Sequence, residues 1–562
     1  MFLLIAGVVI VVVLRAASQG RRVDGVSRSA ILDAQFDRDA QSRRSASLDV
    51  LRQRDPALTE ESVTSRVARM SEVLREAWCA GDMRPARSFV SDGVYSRFAV
   101  QLELMRQEGV RNVMSDARVL FTTIEAVSTW PPLDAVHVRF TASARDTNVP
   151  VAATREQADA ALAHVAPQPY TEIWTLVRRQ GAVTKRAAAD VGRACPSCGA
   201  PFADAAEMLV CRYCSALVCS GEHDWVLSEI TQLEEWRPTS VEPVEGLEEL
   251  RETDPGTARE ALEDRASYVF WKWAEAARRQ SPAPLRKCAT RELIEHRAKL
   301  DTLAGARDVA VGGADLVLVD LGADAPDAVD YAYVRVFWSA RFLAQSEPTP
   351  MQSVLKLVRR SGVVTKTSMT AVVCASCGAP LAETDSSACE HCGVEVVASG
   401  TAWVLDAILP PGEVRARFAV RRDAPWALVP DITDPRERAL LFSEMARLVA
   451  VNGQITRRER RLLTTFAAKW GIPQADLARA LQGHALGTPR VAISSPEWFL
   501  AGLVDAALAD GAIDRAEEAA IEDARVRLGL APDAVARAIE ACRARMAAAD
   551  AITSQSMKTP VG

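Results

Sequence analysis

Eight cysteines carry the clearest chemistry in this chain. They fall into two clusters, Cys195-x2-Cys198-x12-Cys211-x2-Cys214 and Cys374-x2-Cys377-x11-Cys389-x2-Cys392, and each opens with Cys-x-x-Cys-Gly. Paired thiolates two residues apart form knuckles whose backbone N–H groups turn toward the sulfurs, and two knuckles complete a tetrahedron around a borderline-soft ion. The pattern predicts two zinc ribbons holding two structural zinc ions, with all eight cysteines as ligands. Four thiolates leave zinc no open position for water, so a catalytic metal is not expected. A redox reading fits poorly, because thioredoxin-like motifs occur as single pairs at the start of a helix. Cys219 and His223 lie close to the first cluster, but Val397 and Thr401 occupy those places in the second, which makes them bystanders.

Other reactive signatures are missing. The chain has no GxSxG, HExxH, GxxxxGK[ST] or GxGxxG, and only six histidines. His137 sits on an expected strand where the second copy has Tyr333, so it reads as a core or surface residue rather than a general base. Nothing here points to an enzyme or to a small-molecule substrate. A net charge of −6 and the lack of basic runs with interleaved aromatics argue against nucleic acid as a partner. The remaining cysteines, Cys79, Cys219, Cys288 and Cys542, are scattered, which suits a reducing compartment better than a disulfide framework.

The elements that must position the clusters repeat as well. DAVHVRFTASAR (134–145) matches DYAYVRVFWSAR (330–341), LVRRQGAVTK (176–185) matches LVRRSGVVTK (357–366), and the cysteine clusters follow. Last come CSALVCSGEHDWVL (214–227) and CGVEVVASGTAWVL (392–405), which align without a gap. In the first copy Thr59 can cap a helix with Glu60 and Glu61 in its first turn. Val63, Val67, Met70, Leu74 and Trp78 follow at helical spacing, and a second helix covers 94–106 with Val94, Phe98, Leu102 and Met105 on one face. Val136, Val138, Phe140 and Ala142 alternate with polar neighbours, the pattern of a half-buried antiparallel strand, and 119–130 is its expected partner across Pro131-Pro132. In the second copy 269–277 and 293–300 are the expected helices, and 316–321 and 331–342 the strands. Helices first and strands afterwards predict an α+β fold.

The expected domains are 56–236, an acidic linker 237–262, a second copy 263–410, a linker 411–434, a helical domain 435–546 and a tail 547–562. In the helical domain NGQITRRE and DGAIDRAE repeat one turn, with Thr456 or Asp514 as N-cap and Glu459 or Glu517 at the third helical position, the capping-box arrangement. At the other end, MFLLIAGVVIVVVL precedes Arg15, Arg21, Arg22 and Arg28. As a helix it spans about 21 Å, short of the ~30 Å hydrocarbon core. Arginines on its C-terminal side favour a membrane anchor over residues 1–18 with the body in the cytoplasm, a cleaved export signal being the alternative. Residues 19–55 read as a polar tether.

The blocks LVRRQGAVTK, CPSCGAP, CRYC and WVL resemble bacterial members of the Tim-44-like domain family, here present twice. The resemblance implies a cone-like α+β fold with a hydrophobic pocket, similar to nuclear transport factor 2-like domains, and association with membrane lipid or membrane-associated protein. The region 435–546 is similar to the TerB-like all-α domain. That likeness implies membrane-associated stress complexes and a metal site at Asp510 and Glu517, with Asn452 departing from the acidic residue expected at the first turn. Together these readings make the chain a membrane-tethered, non-enzymatic binding scaffold, the alternative being a metal-linked stress-response component.

Overall fold

The computed structural model describes residues 48–544 except 185–187, 203–208, 234–235, 237–243, 297–302, 304, 323–327, 343–347, 367–368, 370–371, 382–383, 385, 412–433, 452, 454, 456, 483, 485, 487–490 and 510–512. The expected anchor, most of the tether, most of the second linker and the tail lie outside these residues. Among the described residues no helix is long and apolar enough to cross a membrane. The chain divides into two compact units, the duplicated part up to Leu409 (less the loop 321–329) and the C-terminal helices.

In copy 1 a short helix over 48–54 precedes α1 (Glu60–Ala80) and α2 (Asp92–Gln107), followed by β1 (Val110–Ser128), β2 (Leu133–Pro150), α3 (Arg155–Ala163), β3 (Gln168–Arg179) and β4 (Val226–Gln232). The four strands form one antiparallel sheet in the order β1-β2-β3-β4. Thr59 caps α1 as expected, its Oγ1 accepting from Ser62 N while Ser62 Oγ accepts from Thr59 N. Val63, Val67, Met70, Leu74 and Trp78 are buried against the sheet residues Ile124, Val136, Val138 and Phe140, so the helical stripe and the strand face form one core.

Copy 2 repeats the plan with α4 (Leu247–Thr253), α5 (Arg259–Arg279), α6 (Arg291–Glu295), β5 (Arg307–Asp320), β6 (Val329–Arg341), β7 (Thr349–Arg360) and β8 (Val404–Leu409), again one four-stranded sheet in sequence order. Even the irregularities recur. The β1–β2 register slips between Val119 and Phe121 and between Ile124 and Ala126, and the β5–β6 register slips between Val311 and Gly313 and between Leu316 and Leu318.

Three expectations change. Residues 237–262 are not simply a linker, since α4 and the start of α5 fall within them, and Leu247, Leu250 and Asp254 are buried. The acidic composition hid the apolar face of α4. Likewise Leu51 and Asp55, read as tether, are buried parts of copy 1. Finally, β2 is not half-exposed: residues 133–138 are buried on both faces. The second copy covers the far side of the sheet, where Leu133, Ala135, Val177 and Val226 pack against Ala258 and Met369.

The copies meet through unlike faces. α2 packs on α5, and β4 on β5, the counterparts in copy 2 of α1 and β1. Gly93 of α2 allows the approach: its N–H donates to Asp264 Oδ1 at 2.9 Å, and a Cβ there would lie 2.4 Å from that oxygen. Gln101 Nε2 donates to the Val309 carbonyl at 3.2 Å, and Val372 N to Asp92 Oδ2 at 2.9 Å.

The helical unit contains α7 (Pro435–Val449), α8 (Arg457–Trp470), α9 (Gln474–Leu481), α10 (Pro496–Ala507), α11 (Arg515–Arg527) and a helix over 534–544. Leu441, Phe442, Met445, Phe466, Leu503, Val504 and Ile521 belong to its core.

Candidate functional site

Each cysteine cluster is built from two knuckles. Cys195 N donates to Ala200 O at 2.9 Å and Gly199 N returns to Cys195 O at 2.9 Å, and Cys211 with Ala216 and Ser215 repeats the turn at 2.9 and 2.8 Å. Cys374 and Cys389 head equivalent turns. The residue after each second cysteine takes a left-handed backbone, which explains Gly199, Gly378 and Gly393, while Ser215 adopts it at φ 58°. Val218 covers the buried cysteines of the first ribbon, and Val396 those of the second.

In each cluster the four Sγ atoms lie within 4.8 Å of one another. The pairs Cys195–Cys214, Cys198–Cys211, Cys374–Cys392 and Cys377–Cys389 are each 3.8 Å apart. A tetrahedron with metal–sulfur bonds of about 2.3 Å has edges of about 3.8 Å, so the donor sets fit such an ion without rearrangement. Within each cluster the thiols divide. Burial raises the Cys211 thiol, but the N–H groups of Cys214 and Tyr213 and the neighbouring thiols of Cys195 and Cys214 outweigh it and bring it down to about 7, whereas burial prevails at Cys195 and pushes it up to about 12. The N–H groups of Cys392 and His391 lower Cys389 to about 6. Cys219 stands outside the cluster, buried, with its thiol pushed up to about 12 by desolvation.

The WVL triplets fix the sheet to which each ribbon is attached. Trp225 covers the guanidinium of Arg178, which donates to Asp55 Oδ2 at 2.9 Å, and Thr184 donates to the same oxygen through N and Oγ1 at 2.9 and 2.7 Å. Copy 2 repeats this with Trp403, Arg359, Asp254 and Thr365. The leucines bond in parallel to the loop before the next helix: Leu227 N donates to Phe89 O and Leu405 N to Cys288 O, both at 2.8 Å. Sequence reasoning missed the two aspartates. Their signal was Leu-Arg-x-x-Asp-Pro at 51–56 and again at 250–255. The ungapped alignment of the last block also needs revision. Gly221 O accepts from Arg179 N and Gly400 O from Arg360 N, both at 2.9 Å, so the glycines correspond although they differ by one place in that alignment.

A cavity of about 800 Å³ opens along the seam between the copies. Tyr95 and Arg106 of α2, Tyr268 and Lys272 of α5, and Leu209 and Leu381 of the two ribbons share its wall. His137 is elsewhere, buried and bonded to Thr175 Oγ1 at 2.9 Å, and desolvation lowers its pKa to about 4, as suits a neutral core residue.

In the helical unit Glu517 Oε2 accepts from Asp514 N at 2.9 Å, and Asp514 Oδ1 accepts from Glu517 N at 2.9 Å, the expected capping box. Glu459, at the matching position of α8, is also buried. Asp510, Asn452 and Thr456 lie outside the described residues.

The geometry defines a mixed α+β protein with two four-stranded antiparallel sheets, C-terminal helices and two four-cysteine clusters compatible with two structural metal ions. No protein-family model and no curated protein matches the chain. Among solved structures, an Ntf2-like protein involved in plasmid conjugation is similar at 9% identity over 51% of this chain and 91% of that one, with a TM-score of 0.11, a likeness that carries no argument.

Proposed function

We propose that this protein is a non-enzymatic, membrane-associated scaffold whose duplicated α+β part binds lipid or protein partners, with structural zinc in both ribbons. The seam cavity carries this reading. Its size lies within the ~300–1,000 Å³ of small-ligand sites. Helix faces from both copies and both ribbon tips line it, and among the described residues its lining includes no histidine or cysteine. Such a wall offers tyrosine rings and charges of both signs to a ligand but no nucleophile paired with a histidine base. The assignment of the copies to Tim-44-like, cone-shaped domains is supported by the helix-then-sheet order in each, and the TerB-like assignment by the capped turn at Asp514.

Hydrogen exchange on the full, zinc-loaded chain tests the reading. With anionic vesicles, or with partners retained from gentle cell extraction, amides of 92–107 and 259–279 gain protection. If vesicle binding protects nothing in these helices and site-specific crosslinkers at Ala99 capture neither lipid nor protein in cells, the seam is not the binding site.

A further inference from the structure

One stretch of copy 1 presents apolar side chains to solvent in a row. Along β1, Val119, Leu120 and Phe121 are 42%, 56% and 55% exposed, whereas elsewhere among the described residues the exposed large apolar side chains stand singly along the sequence. Single exposed apolar residues are ordinary on a protein surface, while contiguous ones mark a contact. β1 is an edge strand of its sheet, and its register slips twice here, between Ser115 and Arg118 and between Val119 and Phe121. Leu120 is the extra residue of the second slip: Val119 pairs with Ala142 and Phe121 with Thr141, and Leu120 has no cross-strand partner. Such bulges bend an edge and re-aim its side chains.

The row is bordered by a cation that no carboxylate holds. Arg118 is exposed. The strand's own acids are taken, Asp116 Oδ2 by Arg145 Nε at 2.7 Å and Glu125 Oε2 by Arg139 Nε at 2.8 Å, and Arg118 forms no ion pair among the described residues. Three kinds of partner would meet this edge differently. A strand from another chain needs an unbroken ladder of backbone groups, which the two slips interrupt. A module docking as β4 docks on copy 2 needs a close approach, which copy 2 offers through Gly312 and Gly313 where copy 1 has Leu120 and Phe121. A bilayer surface needs neither. Leucine and phenylalanine enter the acyl boundary below the headgroups, while the arginine stem lies along apolar surface and keeps its guanidinium among the phosphates.

We propose that Arg118–Phe121 is an interfacial contact through which copy 1 rests on a bilayer containing anionic phospholipid. The inference deepens the membrane-associated reading and rests on it. It gives the folded body a lipid contact of its own, apart from the seam cavity, whose lining contains none of these four residues.

Photo-crosslinking of the full, zinc-loaded chain on vesicles of phosphatidylcholine and phosphatidylglycerol is the test. The probe is p-benzoylphenylalanine in place of Leu120 and, as a control, in place of the exposed Val526 of the helical unit. Position 120 forms lipid adducts and position 526 does not. Arg118→Glu in the same chain lowers the yield at 120 by about fivefold or more with unchanged circular dichroism, and so does leaving out phosphatidylglycerol. A chain that sediments with the vesicles yet gives no more adduct at 120 than at 526 overturns this proposal alone, as does a yield that Arg118→Glu leaves unchanged. Adducts at 120 that join two copies of the chain instead of chain and lipid overturn it as well, and make the row a protein interface. A chain that does not sediment with the vesicles overturns the membrane-associated reading and this proposal with it.

Discussion

The guanidinium carbon of Arg178 lies 4.4 Å from the centre of the Trp225 ring, and Arg359 repeats the relation with Trp403 at 4.5 Å. Each arginine is a buried cation held between an indole and an aspartate that follows the short opening helix of its copy. The cluster ties the start, middle and end of each copy together through residues far apart in sequence. Removing the carboxylate strands the charge. Asp55→Ala is therefore expected to cost about 3–5 kcal/mol in chemical denaturation, the cost of breaking a buried pair from one side. Arg178 and Asp55 have side chains only 1% and 3% exposed, so salt does not screen the loss.

Burial works against the Asp55 carboxylate, but the bonds from Thr184 and Arg178 outweigh it and hold its pKa below the ordinary value. A depressed carboxylate stabilises the fold above its unfolded pKa and loses that contribution as pH falls through the folded value. Acid melts of wild type and Asp55→Asn converge as pH drops below about 4, and the gap between them is widest near neutrality.

Metal content follows the clusters one by one. Cys211→Ser is expected to lower bound zinc from two per chain to one, and Cys211→Ser with Cys389→Ser to none, by elemental analysis of purified full-length protein. A zinc content still at two after Cys211→Ser contradicts the four-thiolate assignment.

The seam is sensitive at Gly93. A methyl group there meets Asp264 Oδ1 at 2.4 Å and the Asp264 carbonyl oxygen at 2.7 Å, so α2 and α5 must separate. Gly93→Ala is expected to destabilise the duplicated unit by about 1–3 kcal/mol, the usual cost of overpacking. Faster amide exchange in 92–107 and 259–279, with the helical unit unchanged, is the accompanying signature.

Asp264 gives the opposite pH dependence to Asp55. Desolvation, and then the nearby Asp92 carboxylate, raise its pKa to about 8, against bonds from Ser91 and from Gly93 N. A carboxyl raised in the folded state favours folding at low pH and penalises it as pH climbs from about 4 through 8. Asp264→Asn removes the penalty, so its melting temperature should gain on wild type between pH 5.5 and pH 8.5. A constant difference across that range refutes the assignment.

The cysteine spacing made the ribbons legible, because ligand geometry depends on a few residues close in sequence. Thr59, Asp514 and the helical stripe of α1 were legible for the same reason. The seam was not. Gly93 and Gly313 carry no local signal, and their meaning comes only from the helix or strand of the other copy that approaches them. For His137, the alternation of β2 promised a wet face that the second copy keeps dry. The aspartates at 55 and 254 were hidden by polar surroundings that read as tether and linker.

The unlike-face contact has a consequence for assembly. A head-to-tail joint between like modules leaves one unsatisfied face at each end, and repetition either closes into a ring or extends into a fibre. At the bulge where copy 2 has Gly312 and Gly313, copy 1 has Leu120 and Phe121, both more than half exposed. Gly313 already leaves only 3.3 Å between a Cβ at that place and Thr231. Phe121 carries a whole ring where Gly313 has no room for a single Cβ to spare, so the β1 edge of copy 1 does not offer the close approach that the β5 edge of copy 2 does.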